Sequence, residues 1–164
     1  LSDNKVQCVY GGGSKGLMGA LADSMIENGG IITGIIPRFM CEVEWNHTQL
    51  AELKLVETMH ERKALMVQGI DAAIALPGGC GTFEELFEVI TWKRLGIFTK
   101  PIIIVNTNNY FHHLIELLKK AIQDRFMSPE HIRMWTVVNS PAEVLEAIRK
   151  APEWNDSAIS FASL

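Results

Sequence analysis

Apolar residues in this chain fall in two patterns. Short continuous blocks alternate with longer stretches in which apolar positions recur every three or four residues. The first pattern predicts buried strands, the second amphipathic helices. Strands are expected at Val6–Tyr10, Ile31–Ile36, Leu53–Val56, Ile70–Leu76, Ile102–Val105 and Trp135–Val138. Helices are expected from about Leu17 to Glu27, Met59 to Gln68, Phe83 to Leu95, Tyr110 to Phe126 and Ser140 to Lys150. In the fourth helix, Leu114, Leu117, Leu118 and Ile122 form the apolar side. Gly29 and Gly30 close the first helix as C-cap glycines. The polar stretch Phe39–Gln49 reads as irregular. Alternation of strand and helix predicts an α/β fold, Rossmann-like and doubly wound, with a mainly parallel sheet and helices on both faces. Residues 1–150 are expected to form one domain and residues 151–164 a flexible tail.

Two glycine-rich stretches interrupt this pattern at strand-to-helix junctions. The sharper is Leu76-Pro77-Gly78-Gly79-Cys80-Gly81-Thr82-Phe83-Glu84-Glu85. Its glycines let the backbone turn sharply and approach a ligand closely. Thr82 is expected where the helix begins, beside free N–H groups and the positive end of the dipole, a ready site for a phosphate. The Gly-Lys-Ser/Thr ending of a P-loop is missing, so a triphosphate with magnesium is not indicated. Thr82 and Glu85 also fit a capping box, which would make both structural. A cap needs none of the three glycines, so the loop favours a ligand.

The other stretch is Gly11-Gly12-Gly13-Ser14-Lys15-Gly16, which satisfies G-x-G-x-x-G literally. A dinucleotide site needs an acidic residue at the end of the next strand to hold the ribose. That strand runs into Pro37-Arg38-Phe39, so a nucleotide or phosphate loop is preferred to NAD. Thr58-x-x-Glu61 is a second capping box. Arg62 and Lys63 follow in the early turns, where cations oppose the helix dipole and gain nothing from capping. An arbitrary Arg-Lys pair is a solvated face; placed just before the strand that feeds the phosphate loop, this one points to anion binding. Glu84, Glu88 and Thr91 share one face of the helix after the loop. Lys93 and Arg94 read as an ordinary helix C-terminus.

Composition narrows the classes. The 164 residues are 48% hydrophobic and 21% charged, as in an ordinary globular domain. A net charge of −4 gives no basic footprint for nucleic acid. No apolar run reaches membrane-span length, so no membrane partner is expected. Cys8, Cys41 and Cys80 have no metal spacing, and three thiols cannot all pair, which suits a reducing cytoplasm. Adjacent His112 and His113 point to different faces of their helix. No metal site is expected. Cys80 reads as a small side chain in a loop, with no base near it in sequence.

Pro77-Gly78-Gly79-x-Gly81-Thr82-x-x-Glu85 resembles the signature of the LOG family, the cytokinin riboside 5′-monophosphate phosphoribohydrolases long mislabelled as lysine decarboxylases. Tyr10-Gly11-Gly12-Gly13 with Gly16-Leu17-Met18-Gly19 resembles the family's first glycine loop, and Met59-His60-x-Arg62-Lys63 its arginine-lysine motif. Glu88-Val89-Ile90-Thr91-Trp92 with Leu95-Gly96 resembles the helix that follows. Order and spacing agree from about Val9 to Val105.

The resemblance implies a homodimer that hydrolyses the N-glycosidic bond of a nucleoside 5′-monophosphate, such as a cytokinin riboside 5′-monophosphate or AMP, without a cofactor. It implies Arg62 and Glu85 as catalytic residues. Glycosidic cleavage passes through an oxocarbenium-like transition state that carboxylates stabilise while one activates water, which suits Glu85. A guanidinium can hold a phosphate or orient a carboxylate, which suits Arg62. Glu44, Lys63, Gly12, Gly13, Gly78, Gly79, Gly81, Thr82, Glu84 and Thr91 are implied to bind substrate. Family members carry an earlier strand, a Gly-Ser-Ser loop and a helix, so part of the nucleotide site is expected ahead of Leu1, with that strand central in the sheet. Two other readings exist. Proteins of this fold also carry molybdenum cofactor, but Arg62 with Glu85 favours the enzyme. Pyridoxal-dependent decarboxylation needs a Schiff-base lysine and a partner for the pyridinium nitrogen, and no such site is evident.

Overall fold

The computed structural model describes residues 1–43 and 45–162. They form two compact units, Leu1–Gly69 and Ile70–Leu164. Each carries its own three-stranded sheet, and every strand pair is parallel, consistent with the doubly wound α/β expectation.

In the first unit, β1 (Cys8–Tyr10), α1 (Gly16–Glu27), β2 (Ile32–Pro37), α2 (Arg38–Glu42), β3 (Glu52–Val56) and α3 (Met59–Val67) follow one another. The sheet order is β1-β2-β3, with Cys8 opposite Ile32 and Thr33 opposite Glu52. β2 is central and all six of its residues are buried, as expected of a parallel strand covered on both faces. Tyr10, Ala22, Met25 and Ile32 form the core beneath α1. Gly34 lets two segments meet: a Cβ there would lie 2.9 Å from the Gly12 Cα and 2.8 Å from Leu50 Cδ1. The expected irregular stretch instead opens with α2. Pro37, at φ −65°, is its N-cap, and Arg38–Glu42 contains no helix breaker.

In the second unit, β4 (Ala73–Ala75), α4 (Cys80–Arg94), β5 (Ile102–Val105), α5 (His112–Gln123), β6 (Thr136–Val138) and α6 (Val144–Lys150) pair in the order β4-β5-β6. Central β5 is fully buried. Ile103, Val105, Val138 and Val144 form a core with Leu76, Ala147 and Ile148 packed against it.

The structure differs from several expectations in this unit. The apolar run Ile70–Leu76 yields only three strand residues, and Ile74 is 39% exposed. A continuous apolar run marks a strand covered on both faces, whereas β4 lies at the edge of its sheet. The buried face of α5 is Ile115 and Leu118, while Leu117 is 61% exposed. The helix starts at His112 rather than Tyr110, so buried Phe111 sets the face, with Ile115 and Leu118 following at helical spacing. Lys93 is not a solvated helix-end cation. It is 1% exposed, and its Nζ donates to the Lys100 carbonyl at 2.6 Å. The segment after Pro152, read as a flexible tail, carries a 3-10 helix at Asp156–Phe161 with Ala158 buried. Trp154 Nε1 donates to the Lys93 carbonyl at 2.7 Å, and Arg94 Nε to the Ala162 carbonyl at 2.9 Å. Among the described residues no helix is long and apolar enough to cross a membrane.

Candidate active site

In the first unit the glycine loop runs off the carboxyl end of β1, where open α/β sheets bind ligands. Gly12 takes φ +75°, a conformation few side chains allow. The loop is held on several sides. Tyr10 Oη donates to the Gly13 carbonyl at 3.3 Å. Ser14 N donates to the Trp45 carbonyl at 3.0 Å, and His47 N to the Gly12 carbonyl at 2.9 Å. Gly13 also bridges Asn46 antiparallel.

His47 escaped the sequence reading. Its ring is buried, with Nε2 2.9 Å from Asp23 Oδ1 on α1 and Nδ1 accepting from Gln49 N at 3.2 Å. An amide N–H aimed at Nδ1 assigns the ring proton to Nε2, which donates to Asp23. The only sequence signal was a histidine in a polar stretch, and its partner lies 24 positions away.

Arg62 and Lys63 sit in the second turn of α3, behind an intact capping box. Thr58 Oγ1 accepts from Glu61 N at 3.1 Å, and Glu61 Oε2 accepts from Thr58 N at 3.2 Å. Both cations are buried, 8% exposed each, so neither belongs to a solvated face. Arg62 Nε donates to the Ile35 carbonyl of β2 at 3.2 Å. Its guanidinium lies against Gly11, where an added Cβ would collide with it. The structure thus brings Arg62 to the same loop as Gly12 and Gly13. Glu44 lies outside the described residues.

In the second unit Leu76-Pro77-Gly78-Gly79 joins β4 to α4. The helix starts earlier than expected. Gly79 is its N-cap, Cys80 its first residue, and Thr82 its third. The capping box of Thr82 and Glu85 is therefore corrected. An N-cap side chain would have to come from Gly79, which has none. Thr82 Oγ1 instead fills the space a Cβ on Gly78 would need. α4 begins with no side-chain cap and no acidic residue in its first turn, so no carboxylate there offsets the positive helix end. Gly79 and Gly81 are open: a Cβ on either would meet nothing within 4 Å.

Glu84 is exposed, Glu85 and Glu88 half-buried. Thr91 stands apart from the loop. It lies nine residues beyond Thr82, about 13 Å along the helix, and its hydroxyl donates to the Phe87 carbonyl at 2.7 Å. Tyr110, another residue sequence reasoning missed, donates from its hydroxyl to the Gly78 carbonyl at 2.5 Å. Among the described residues no group of three or more His, Cys, Asp or Glu side chains is placed to hold a metal ion.

Comparison with known proteins matches residues 18–148 to a family model described as "Possible lysine decarboxylase". The chain is 39% identical over 160 residues to the cytokinin riboside 5′-monophosphate phosphoribohydrolase LOG5 of Arabidopsis thaliana, covering 98% of this chain and 70% of that protein. It is 45% identical over 130 residues to the cytokinin riboside 5′-monophosphate phosphoribohydrolase of Rhodococcoides fascians, covering 79% of this chain and 66% of that protein. LOG2 of Arabidopsis thaliana, of the same description, is 38% identical over 160 residues, with 98% and 75% covered.

Proposed function

The chain belongs to the LOG family, and on that premise we propose that it hydrolyses the N-glycosidic bond of a nucleoside 5′-monophosphate with an adenine-type base. The products are the free base and ribose 5-phosphate. One observation supports this reading above the others: α4 starts uncapped at an open glycine turn, and Glu85 follows in its second turn. An uncapped helix end with open backbone suits a phosphate. A carboxylate beside it suits a positively charged sugar transition state.

In this reading Gly78, Gly79, Gly81 and Thr82 receive the phosphate. Glu85 faces the ribose and stabilises the oxocarbenium-like ion or activates the water, with Glu84 beside it. By resemblance, Arg62 is assigned to catalysis and Lys63, Gly12 and Gly13 to substrate. Glu44 and Thr91 are assigned to substrate by resemblance alone. The active form is a homodimer.

The test is incubation with AMP and with an N6-prenylated AMP, with free base quantified by chromatography. Release of base from either, with equimolar ribose 5-phosphate, is expected, and the ratio sets the base preference. No release from either would sink the hydrolase reading.

A further inference from the structure

The glycine turn before α4 contains two consecutive glycines, and a Gly–Gly peptide can rotate between orientations at little cost. Its orientation matters. In a trans peptide the C=O and N–H point in opposite directions, so the Gly78 carbonyl sets where the Gly79 N–H points. In this structure that carbonyl is taken by the Tyr110 hydroxyl at 2.5 Å. The Gly79 N–H is thereby directed away from Tyr110, at a residue whose side-chain position is open space.

The turn that delivers Tyr110 is held by several contacts. It leaves the carboxyl end of β5, the strand paired with β4, so both turns emerge at the same end of one sheet. Asn106 is buried; its N donates to the Val138 carbonyl and its Oδ1 accepts from Phe111 N, both at 2.7 Å. Asn108 and Asn109 both take left-handed φ, 53° and 59°. That conformation is uncommon for any residue but glycine, and asparagine tolerates it best. Phe111, 1% exposed, anchors the far side against Phe83 in the first turns of α4, with ring centroids 6.3 Å apart. Tyr110 itself is 49% exposed and packs edge-on against Phe111 at 5.0 Å. Backbone strain held next to a site by surrounding contacts is a common sign of a positioned functional group.

We propose that Tyr110 is a positioning residue for the phosphate: its hydroxyl locks the Gly78–Gly79 peptide so that the Gly79 N–H is presented as a donor at the start of α4. This rests on the reading of that turn as the phosphate loop. Binding of the phosphate is shared by ground and transition states, so the contribution falls in KM rather than kcat.

Tyr110→Phe removes only the hydroxyl. In the full-length chain it should raise KM for a nucleoside monophosphate, and Kd for ribose 5-phosphate measured by calorimetry, by about tenfold, the scale of one hydrogen bond. The kcat and the thermal midpoint should stay at wild-type values. Unchanged KM and Kd overturn the proposal, with or without a fall in thermal midpoint, since a drop in stability alone makes Tyr110 a structural residue. The two readings fail separately. If the wild type releases no base yet binds ribose 5-phosphate, and Tyr110→Phe weakens that binding, the positioning role holds and hydrolysis falls. If the wild type hydrolyses substrate and Tyr110→Phe matches it, hydrolysis holds and the positioning role falls. A wild type that neither releases base nor binds ribose 5-phosphate overturns both.

Discussion

Glu85 is the sixth residue of α4, counted from Cys80, and a capping-box carboxylate has to sit at the third. The cap therefore does not account for this carboxylate, and the neutral isostere tests the role proposed for it on substrate. Glu85→Gln should lower turnover of a nucleoside monophosphate by about a hundredfold or more, the scale of losing one electrostatic contact to developing charge. The thermal midpoint should hardly move. Near-normal turnover would remove Glu85 from the chemistry. Arg62→Lys keeps the charge but loses the planar fork, and should also reduce turnover.

Gly81 offers a test of a different kind. It lies in the first turn of α4, with open space where a Cβ would go. Glycine inside a helix costs about 0.5–1 kcal/mol relative to alanine, so Gly81→Ala should raise the thermal midpoint. If the backbone there meets a phosphate, the same methyl should raise KM. A more stable protein with unchanged KM would place the phosphate elsewhere.

At the scale of elements, Lys93 binds α4 to the C-terminal segment. Its ammonium group donates to the Lys100 carbonyl and lies 5.9 Å from the centre of the Trp154 ring. Burial pushes its pKa down to about 8, from an ordinary 10.5. Between those values the unfolded chain binds more protons at this site than the folded one, so stability rises with pH across the window. Tyr10 acts in the opposite sense. Burial pushes its pKa up from 10 to about 12, so the folded state holds its proton longer and stability falls across that higher window. Urea unfolding of the wild type and Lys93→Met from pH 7.5 to 10 isolates the lysine. The stability difference should shift toward the wild type as pH rises; a constant difference would mean that Lys93 titrates normally.

Nothing in the sequence around Lys93 announced this. A lysine in the last turn of a helix reads as a dipole partner, and its burial depends on Trp154, 61 positions away. The same limit explains α5, whose face turned on where the helix began, and His47, whose partner is on α1. What was legible was local. β5, α3 with its capping box, and the two glycine loops depend on neighbours within a few residues, and each formed where the pattern placed it. The capping box at Thr82 failed for an equally local reason: glycine makes a competent N-cap, and the helix starts there three residues earlier.

For the molecule as a whole, the net charge of −4 argues against long-range attraction of an anionic substrate. In the proposed reading, selectivity for a phosphate rests on short-range contacts. Each unit offers one candidate kind. One is backbone: open glycines at an uncapped helix start in the second unit. The other is buried cationic side chains, Arg62 and Lys63, in the first. A dinucleotide is served poorly by the first glycine loop. Gly12 and Ser14 are bonded to residues 45–47, and Arg38, which could meet a 2′-phosphate, is paired with Glu57 at 2.7 Å. Backbone N–H donors at a helix start recognise phosphate oxygens and have nothing to offer a 5′-hydroxyl of equal value, because a dianion gains from the dipole and a neutral group does not. The protein should therefore turn over a nucleoside 5′-monophosphate with a kcat/KM at least about a hundredfold above that of the matching nucleoside, corresponding to the loss of roughly 3 kcal/mol of charge-assisted contacts. The comparison is made on adenosine against AMP and on the prenylated pair, with base release followed at substrate concentrations well below KM. Equal values within either pair would mean that the glycine turn before α4 is a structural feature and that the phosphate plays no part in recognition.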